Sequence, residues 1–230
     1  LIDSSLKYVR RNLDQRPMRI ICQTAFAPGW LLPRLEGFLV AHPDIDLRLY
    51  ALNDVTVEDI QEKSASGAIL SGSGQWPGLD GHFLLANRFM PVCSPGYRDK
   101  HPSIRSATDL LTHRLIIPET AEVLWKNWFE HQGVHYASSQ LRLYFATAFL
   151  PVKAACMGLG VALADLALIS HELQAGDLLP VLDAPSITPG TGWYLINSPS
   201  QRRDVMYQRW SSWLRDQSDR HEALHRVASP

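Results

Sequence analysis

The chain has no apolar run approaching the roughly 18 residues of a membrane span, and its first residues hold no signal-peptide hydrophobic region. A spanning protein and a secreted one are therefore not expected. It has no surplus of either charge: 22 Lys plus Arg stand against 23 Asp plus Glu, for a net charge of −1. Such a balance gives no general attraction to nucleic acid or to an anionic membrane. Cysteine is scarce. Cys22, Cys93 and Cys156 are odd in number, far apart and set among apolar neighbours, which reads as reduced core residues of a cytoplasmic protein instead of disulfides or metal ligands. No Gly-x-Ser-x-Gly elbow is present, and no pair of carboxylates is compelling as an acid and base. The glycine-rich loop at Gly72 lacks the Lys of a phosphate-cradling P-loop. No catalytic residue and no cofactor is expected. Internal repeats and long low-complexity segments are also missing. The chain does not begin with Met, so a piece of a longer protein, or a processed one, is expected.

What is present is 46% hydrophobic residues over 230 positions, enough to bury a substantial core. The organising stretch is residues 18–52, MRIICQTAFAPGWLLPRLEGFLVAHPDIDLRLYAL. Its first part is a short apolar run rich in β-formers. A small-residue turn follows, and then Leu31, Leu35, Phe38 and Leu39 recur at helical spacing. Pro28 and Pro33 fall before or within the first turn, where a missing N–H costs little, and His42-Pro43 stops the helix. A second strand is expected at 45–51. Strand, helix and strand make a βαβ unit with parallel strands, so the turn at 24–29 lies at a strand's carboxyl end and a helix's amino end. Open α/β sheets bind ligands at such places, because unpaired helix N–H groups point outward there.

The same alternation continues. A short helix is read at 57–63, a buried strand at 68–70, and then the loop Ser71-Gly72-Ser73-Gly74-Gln75-Trp76-Pro77-Gly78. Residues 83–93 read as one or two strands and 115–117 as another. In the helix at 122–132, Leu124, Trp125, Trp128 and Phe129 form the inner face, with Glu122, Lys126 and Glu130 pairing at i,i+4 outside and Gly133 closing it. Strands at 141–145, 161–164, 178–182 and 193–196 interleave with helices at 148–157, 166–174 and 202–216. Residues 1–13 place Ile2, Leu6, Val9 and Leu13 at helical spacing, as in the severed end of a longer helix. The tally fits an α/β fold of two lobes. Residues 18–88 with 190–217 would form one and 89–189 the other, preceded by a helix remnant at 1–17 and followed by a polar tail at 218–230. Two strands would then cross between the lobes, leaving a cleft and a hinge.

The segments TAFAPGWLLPRLEGF, HPDIDLRL, SGSGQWPGL, PVCSPGY and GLGVAL occur in the order and spacing of LysR-type transcriptional regulators, and the chain resembles that family from residue 18 to about 214. Within it, the Trp-Pro-Gly loop and the Pro-Val-Cys-Ser-Pro strand look like the branch of the glycine-cleavage and β-lactamase regulators. The resemblance implies the effector-binding domain: two Rossmann-like lobes joined by two crossover strands, similar to periplasmic binding proteins. It implies a small-molecule effector, a homodimer or homotetramer, no membrane, and DNA contact only through an N-terminal winged helix-turn-helix that this chain does not contain. The implied pairing surface is the helix at 30–41 with the strand at 47–49. Two departures stand out. Gly67 replaces the family's usual Asp, and Phe145-Ala146-Thr147 replaces a Phe-Asp-hydroxyl sequence, so the ligand of better-known relatives should not be carried over.

The effector contacts implied are Thr24, Ala25 and Phe26 at the first helix, Ser71 and Ser73 after a strand, and Phe145, Ala146, Thr147 and Ala148 at the second-lobe helix. Pro118, Glu119, Thr120 and Trp193 are weaker choices. Their hydroxyls and backbone N–H groups suit a carboxylate, a phosphate or a polar edge. Alternatively Thr24, Ser71 and Thr147 cap helices or turns, and Trp193 is core. His221-Glu222-Ala223-Leu224-His225 matches the zinc-protease pattern HExxH but falls in a polar tail with no segment after it to complete a site, so no metal is expected. His131 and His135 are separated by the helix-ending Gly133 and read as surface residues. The alternative to a regulator is a solute-binding protein of a transport system, which shares the two-lobe logic.

Overall fold

Ile20, Ile21 and Cys22 are fully buried in succession, and a strand apolar on both faces belongs inside a sheet with helices on either side. That strand, β1 (Met18–Gln23), pairs in parallel with β2 (Leu47–Leu52) from Met18↔Leu47 to Gln23↔Leu52, and with β3 (Gly67–Gly72) from Ile20↔Gly67 to Cys22↔Ile69. The remaining strands are β4 (Asp80–Ala86), β5 (Phe89–Cys93), β6 (Leu115–Pro118), β7 (Arg142–Phe145), β8 (Val161–Asp165), β9 (Leu179–Pro180) and β10 (Gly192–Asn197). They form two five-stranded sheets, in the orders β2-β1-β3-β10-β4 and β7-β6-β8-β5-β9. The computed structural model describes residues 16–136 and 141–227; the helix expected at residues 1–13 lies outside them.

The chain divides into two compact units. The first holds β1, Pro33–Leu85 and the segment from Trp193 onward; the second holds Thr24–Leu32 and Ala86–Gly192. In the first unit, helix α1 (Leu32–Ala41) buries Leu35 and Phe38 and stops before Pro43. A one-turn π-helix, Ala27–Leu31, leads into it, with Pro28 where its missing N–H is harmless. Helix α2 (Val57–Glu62) starts in a capping box: Thr56 Oγ1 accepts from Asp59 N at 3.1 Å and Asp59 accepts from Thr56 N at 3.0 Å. Gly67 lies where a Cβ would meet the Tyr207 ring at 3.1 Å and the Ile196 carbonyl at 3.2 Å. A side chain at position 67 would therefore crowd Tyr207.

The last helix differs from its sequence reading at both ends. Residues 199–203 form a 3-10 turn, Asp204 is extended and accepts from Tyr207 N at 3.0 Å, and helix α7 runs from Val205 to Val227. Residues 218–227 of the segment read as a polar tail are therefore helical. Polar composition misled because α7 buries its own polar residues: Ser218 donates to the Leu84 carbonyl, and His221, 4% exposed, accepts at Nδ1 from Arg34 at 3.2 Å. Nearer its start, Trp210 meets Phe38 edge-on with ring centroids 5.0 Å apart.

In the second unit β6 pairs in parallel with β7 and β8, whereas β5 runs antiparallel to β8 and β9, so this sheet is mixed. Helix α3 is Pro95–Lys100. Helix α4 (Glu122–His131) buries Trp125, Trp128 and Phe129 completely, and Gly133 closes it at φ +69°. Its outer face is not the expected ladder. Lys126 and Glu130 pair at 3.8 Å, but Glu122 turns instead to Arg142, Tyr136 and Tyr144. Helix α5 is Leu150–Cys156. Helix α6 (Ser170–Ala175) starts four residues later than its periodicity implies, because Asp165 accepts from Ala167 N at 3.2 Å and holds 166–169 in a turn. All three cysteines are free. Burial pushes the Cys22 and Cys93 thiols up to about 11, and Cys156 is half-buried.

Candidate functional site

The first unit assembles one group of expected contacts at the carboxyl ends of β1 and β3. Ser71 is half-buried and Ser73 exposed. The loop that carries them is braced by aromatic rings: a Cβ on Gly72 would meet Trp76 at 2.9 Å, and one on Gly74, at φ +90°, would meet the Tyr194 hydroxyl at 2.8 Å. Trp76 and Tyr194 pack edge-on at 5.3 Å. Gly67 lies beside Ile196 and Gly74 beside Tyr194, so the start of β10 is next to the end of β3, which brings Trp193 to the Ser71 edge. Trp193 is only 5% exposed, so most of its ring is core.

The second unit holds the other groups. Pro118 pairs with Phe145 in the parallel register, so Pro118, Glu119 and Thr120 stand beside Phe145, Ala146, Thr147 and Ala148 at adjacent strand ends. Glu119, Thr120, Ala146 and Ala148 are exposed and Thr147 is half-buried. The Thr147 hydroxyl accepts from Leu150 N at 3.5 Å, so it also helps to begin α5. Thr24 and Ala25 are half-buried; Phe26 is fully buried against Trp30 at 5.1 Å, so any contact it makes is through its backbone. Gly29 permits this turn to seat, since a Cβ there would stand 2.5 Å from the Leu168 carbonyl.

Three polar groups escaped the sequence reading. Gln23, the last residue of β1, accepts at Oε1 from Ser71 N at 2.8 Å. The Glu122 carboxylate gathers Arg142, Tyr136 at 3.2 Å and Tyr144 at 3.1 Å, with the Arg142 guanidinium over the Tyr136 ring at 4.9 Å. Burial and the Glu122 charge hold the Tyr136 hydroxyl well above the usual tyrosine range. Asp165, 6% exposed, accepts from Asn87 Nδ2 at 2.7 Å, and Thr191 Oγ1 donates to Asn87 Oδ1 at 2.8 Å, tying residues 87 and 191 together. A polar residue ending an apolar strand was a usable signal for Gln23. The other two sets are joined from distant positions, and spacing does not reveal them.

Small hydroxyls and backbone N–H groups lie at strand ends in both units, and no three His, Cys, Asp or Glu among the described residues could hold a metal ion. No helix among them is long and apolar enough to cross a membrane. Residues 11–219 match the family described as LysR substrate binding domain. The chain belongs to that family. A glycine cleavage system transcriptional activator of Escherichia coli K12 is 30% identical over 218 residues, covering 93% of this chain and 70% of that protein. The transcriptional activator AmpR of Rhodobacter capsulatus is 32% identical over 213 residues, covering 91% and 68%. In three dimensions the chain is similar to the effector domain of AmpR from Pseudomonas aeruginosa, with a TM-score of 0.79, 28% identity, and coverage of 93% of this chain and 100% of that one. The domain is thus the effector-binding part of a LysR-type regulator, with the periplasmic-binding-protein-like α/β fold. A transport solute-binding protein has no support among these relatives, which are transcriptional regulators.

Proposed function

We propose that this LysR effector-binding domain holds a small metabolite at its strand-end loops, with Thr24, Ala25 and Phe26, Ser71 and Ser73, Pro118 to Thr120, Phe145 to Ala148, and Trp193 as the contact residues. In the full-length cytoplasmic regulator, binding changes the arrangement of a homo-oligomer and so of a winged helix-turn-helix bound to DNA. No catalytic step is involved. The supporting observation is the gathering of accessible hydroxyl and small residues at the carboxyl ends of parallel strands in both units, where α/β sheets present donors to ligands. For the oligomer, the support is an uncovered apolar surface on α1, where Leu32, Leu39 and Val40 are 52%, 43% and 74% exposed beside the edge strand β2.

A thermal-shift screen of amino acids, small carboxylates and cell-wall fragments tests the reading. A ligand at 100 times its Kd stabilises by about 2.7 kcal/mol, a rise of roughly 5–10 °C for a domain of this size. Thr147→Val weakens the hit with the fold intact; unchanged affinity removes Thr147 from the site. A hit that shifts backbone amide resonances only away from these loops overturns the placement.

A further inference from the structure

The parallel ladder between β1 and β3 ends at Cys22↔Ile69, just before the strand-end loops begin. Beyond it the Ser71 N–H is taken by a side chain: it donates to Gln23 Oε1 at 2.8 Å. A backbone N–H can only donate, so the carboxamide oxygen must face Ser71 and the amide N–H2 must turn the other way. Among the described residues no acceptor is bonded to that nitrogen. Gln23 is half-buried, immediately precedes Thr24 and grips the residue that opens the Ser71–Ser73 loop. Its rotamer is therefore held before any ligand arrives, so little side-chain freedom is lost on binding.

We infer that Gln23 is a specificity-determining residue of the effector site, presenting a fixed, uncharged pair of N–H donors that selects a planar oxygen acceptor on the effector, a carboxylate or an amide carbonyl, over a cationic group. The inference rests on the strand-end site proposed above. Glu119 is the only ionisable side chain in that contact set, so neutral donors such as Gln23 must recognise the acceptor.

The test is a 1H–15N spectrum of the 230-residue chain titrated with acetate, acetamide and methylammonium, each to about 100 mM, enough to saturate a site with a Kd of a few millimolar. The Gln23 side-chain N–H2 signals are identified by their loss in Q23E. Acetate or acetamide should shift them saturably, and the stronger of the two names the acceptor; methylammonium should not. Q23E keeps an oxygen for the Ser71 N–H but points a carboxylate outward, so acetate should bind at least about tenfold more weakly and methylammonium should gain affinity. The wild-type shifts and the neutral Q23M, which should lose the acetate response without gaining methylammonium, decide the matter if Q23E does not fold. If acetate and acetamide move the Thr24 and Thr147 backbone amides but leave the Gln23 N–H2 still, or if methylammonium moves it, the role given to Gln23 is wrong and the site stands. If no strand-end amide responds to any probe, the site itself falls, and this role with it.

Discussion

Two glycines that look alike in sequence do opposite work. Gly29 sits where a methyl group would stand 2.5 Å from the Leu168 carbonyl and 2.9 Å from its Cβ, whereas Gly37, inside α1, has nothing within 4 Å of an added Cβ. Gly29→Ala should therefore cost about 1–3 kcal/mol by overpacking, and Gly37→Ala should stabilise by about 0.5–1 kcal/mol by removing backbone freedom from the unfolded chain. Thermal melts separate them by sign; equal effects would contradict the packing of the first turn. His113 makes a second case. Burial first, and the neighbouring His101 second, lower its pKa, while Asp109 opposes them; its Nδ1 lies 3.2 Å from the Tyr97 hydroxyl. Because the folded chain binds this proton more weakly than the unfolded one, the stabilisation is complete above the unfolded value near 6.5. It is lost as pH falls from there through the lower folded value. Urea melts between about pH 7.5 and 5 should show that decline, and His113→Gln should flatten it; an unchanged slope would assign the decline to other groups.

Among the elements, α7 departs furthest from its pattern. Its Val205, Met206, Trp210, Trp213 and Leu214 repeat marks a helix, but after residue 216 the sequence turns polar and the apolar signal ends. The helix continues because Ser218 and His221 find partners on other segments, the Leu84 carbonyl and Arg34, which no local pattern reveals. Removing everything after Asp216 should cost roughly 2 kcal/mol or more, about 1 kcal/mol for each buried hydrogen bond lost plus the burial, visible as a lower urea midpoint. An unchanged midpoint would show that this last stretch is ornamental to stability. Asp165 is the converse case: its acceptor oxygens hold 166–169 in a turn and delay α6, so a short-range polar competitor overrode helical periodicity.

At the scale of the whole molecule, the feature that bears on assembly is the exposed apolar face of α1. Leu39 and Val40 are solvent-facing on a helix whose other side is core, and β2 leaves a sheet edge beside it. If this is the pairing surface, Val40→Asp should convert a dimer into a monomer in sedimentation at tens of micromolar, with little change in the melting of the monomer. A wild-type chain that is already monodisperse and monomeric there would refute the pairing. The α/β class, the strand-helix-strand opening and most strand positions were legible from periodicity and turn residues, because apolar alternation and Pro or Gly breaks act over neighbours that sequence displays. So were the strand-end positions of Thr24, Ser71 and Thr147, since small and turn-forming residues at the end of an apolar strand announce themselves locally. Tertiary structure decided the rest. The amide orientation of Gln23, the Glu122 cluster around Arg142, the Asp165–Asn87–Thr191 ties and the burial of His221 each join residues far apart in the chain, where partners are chosen by three-dimensional proximity and by the cost of burying a polar group alone.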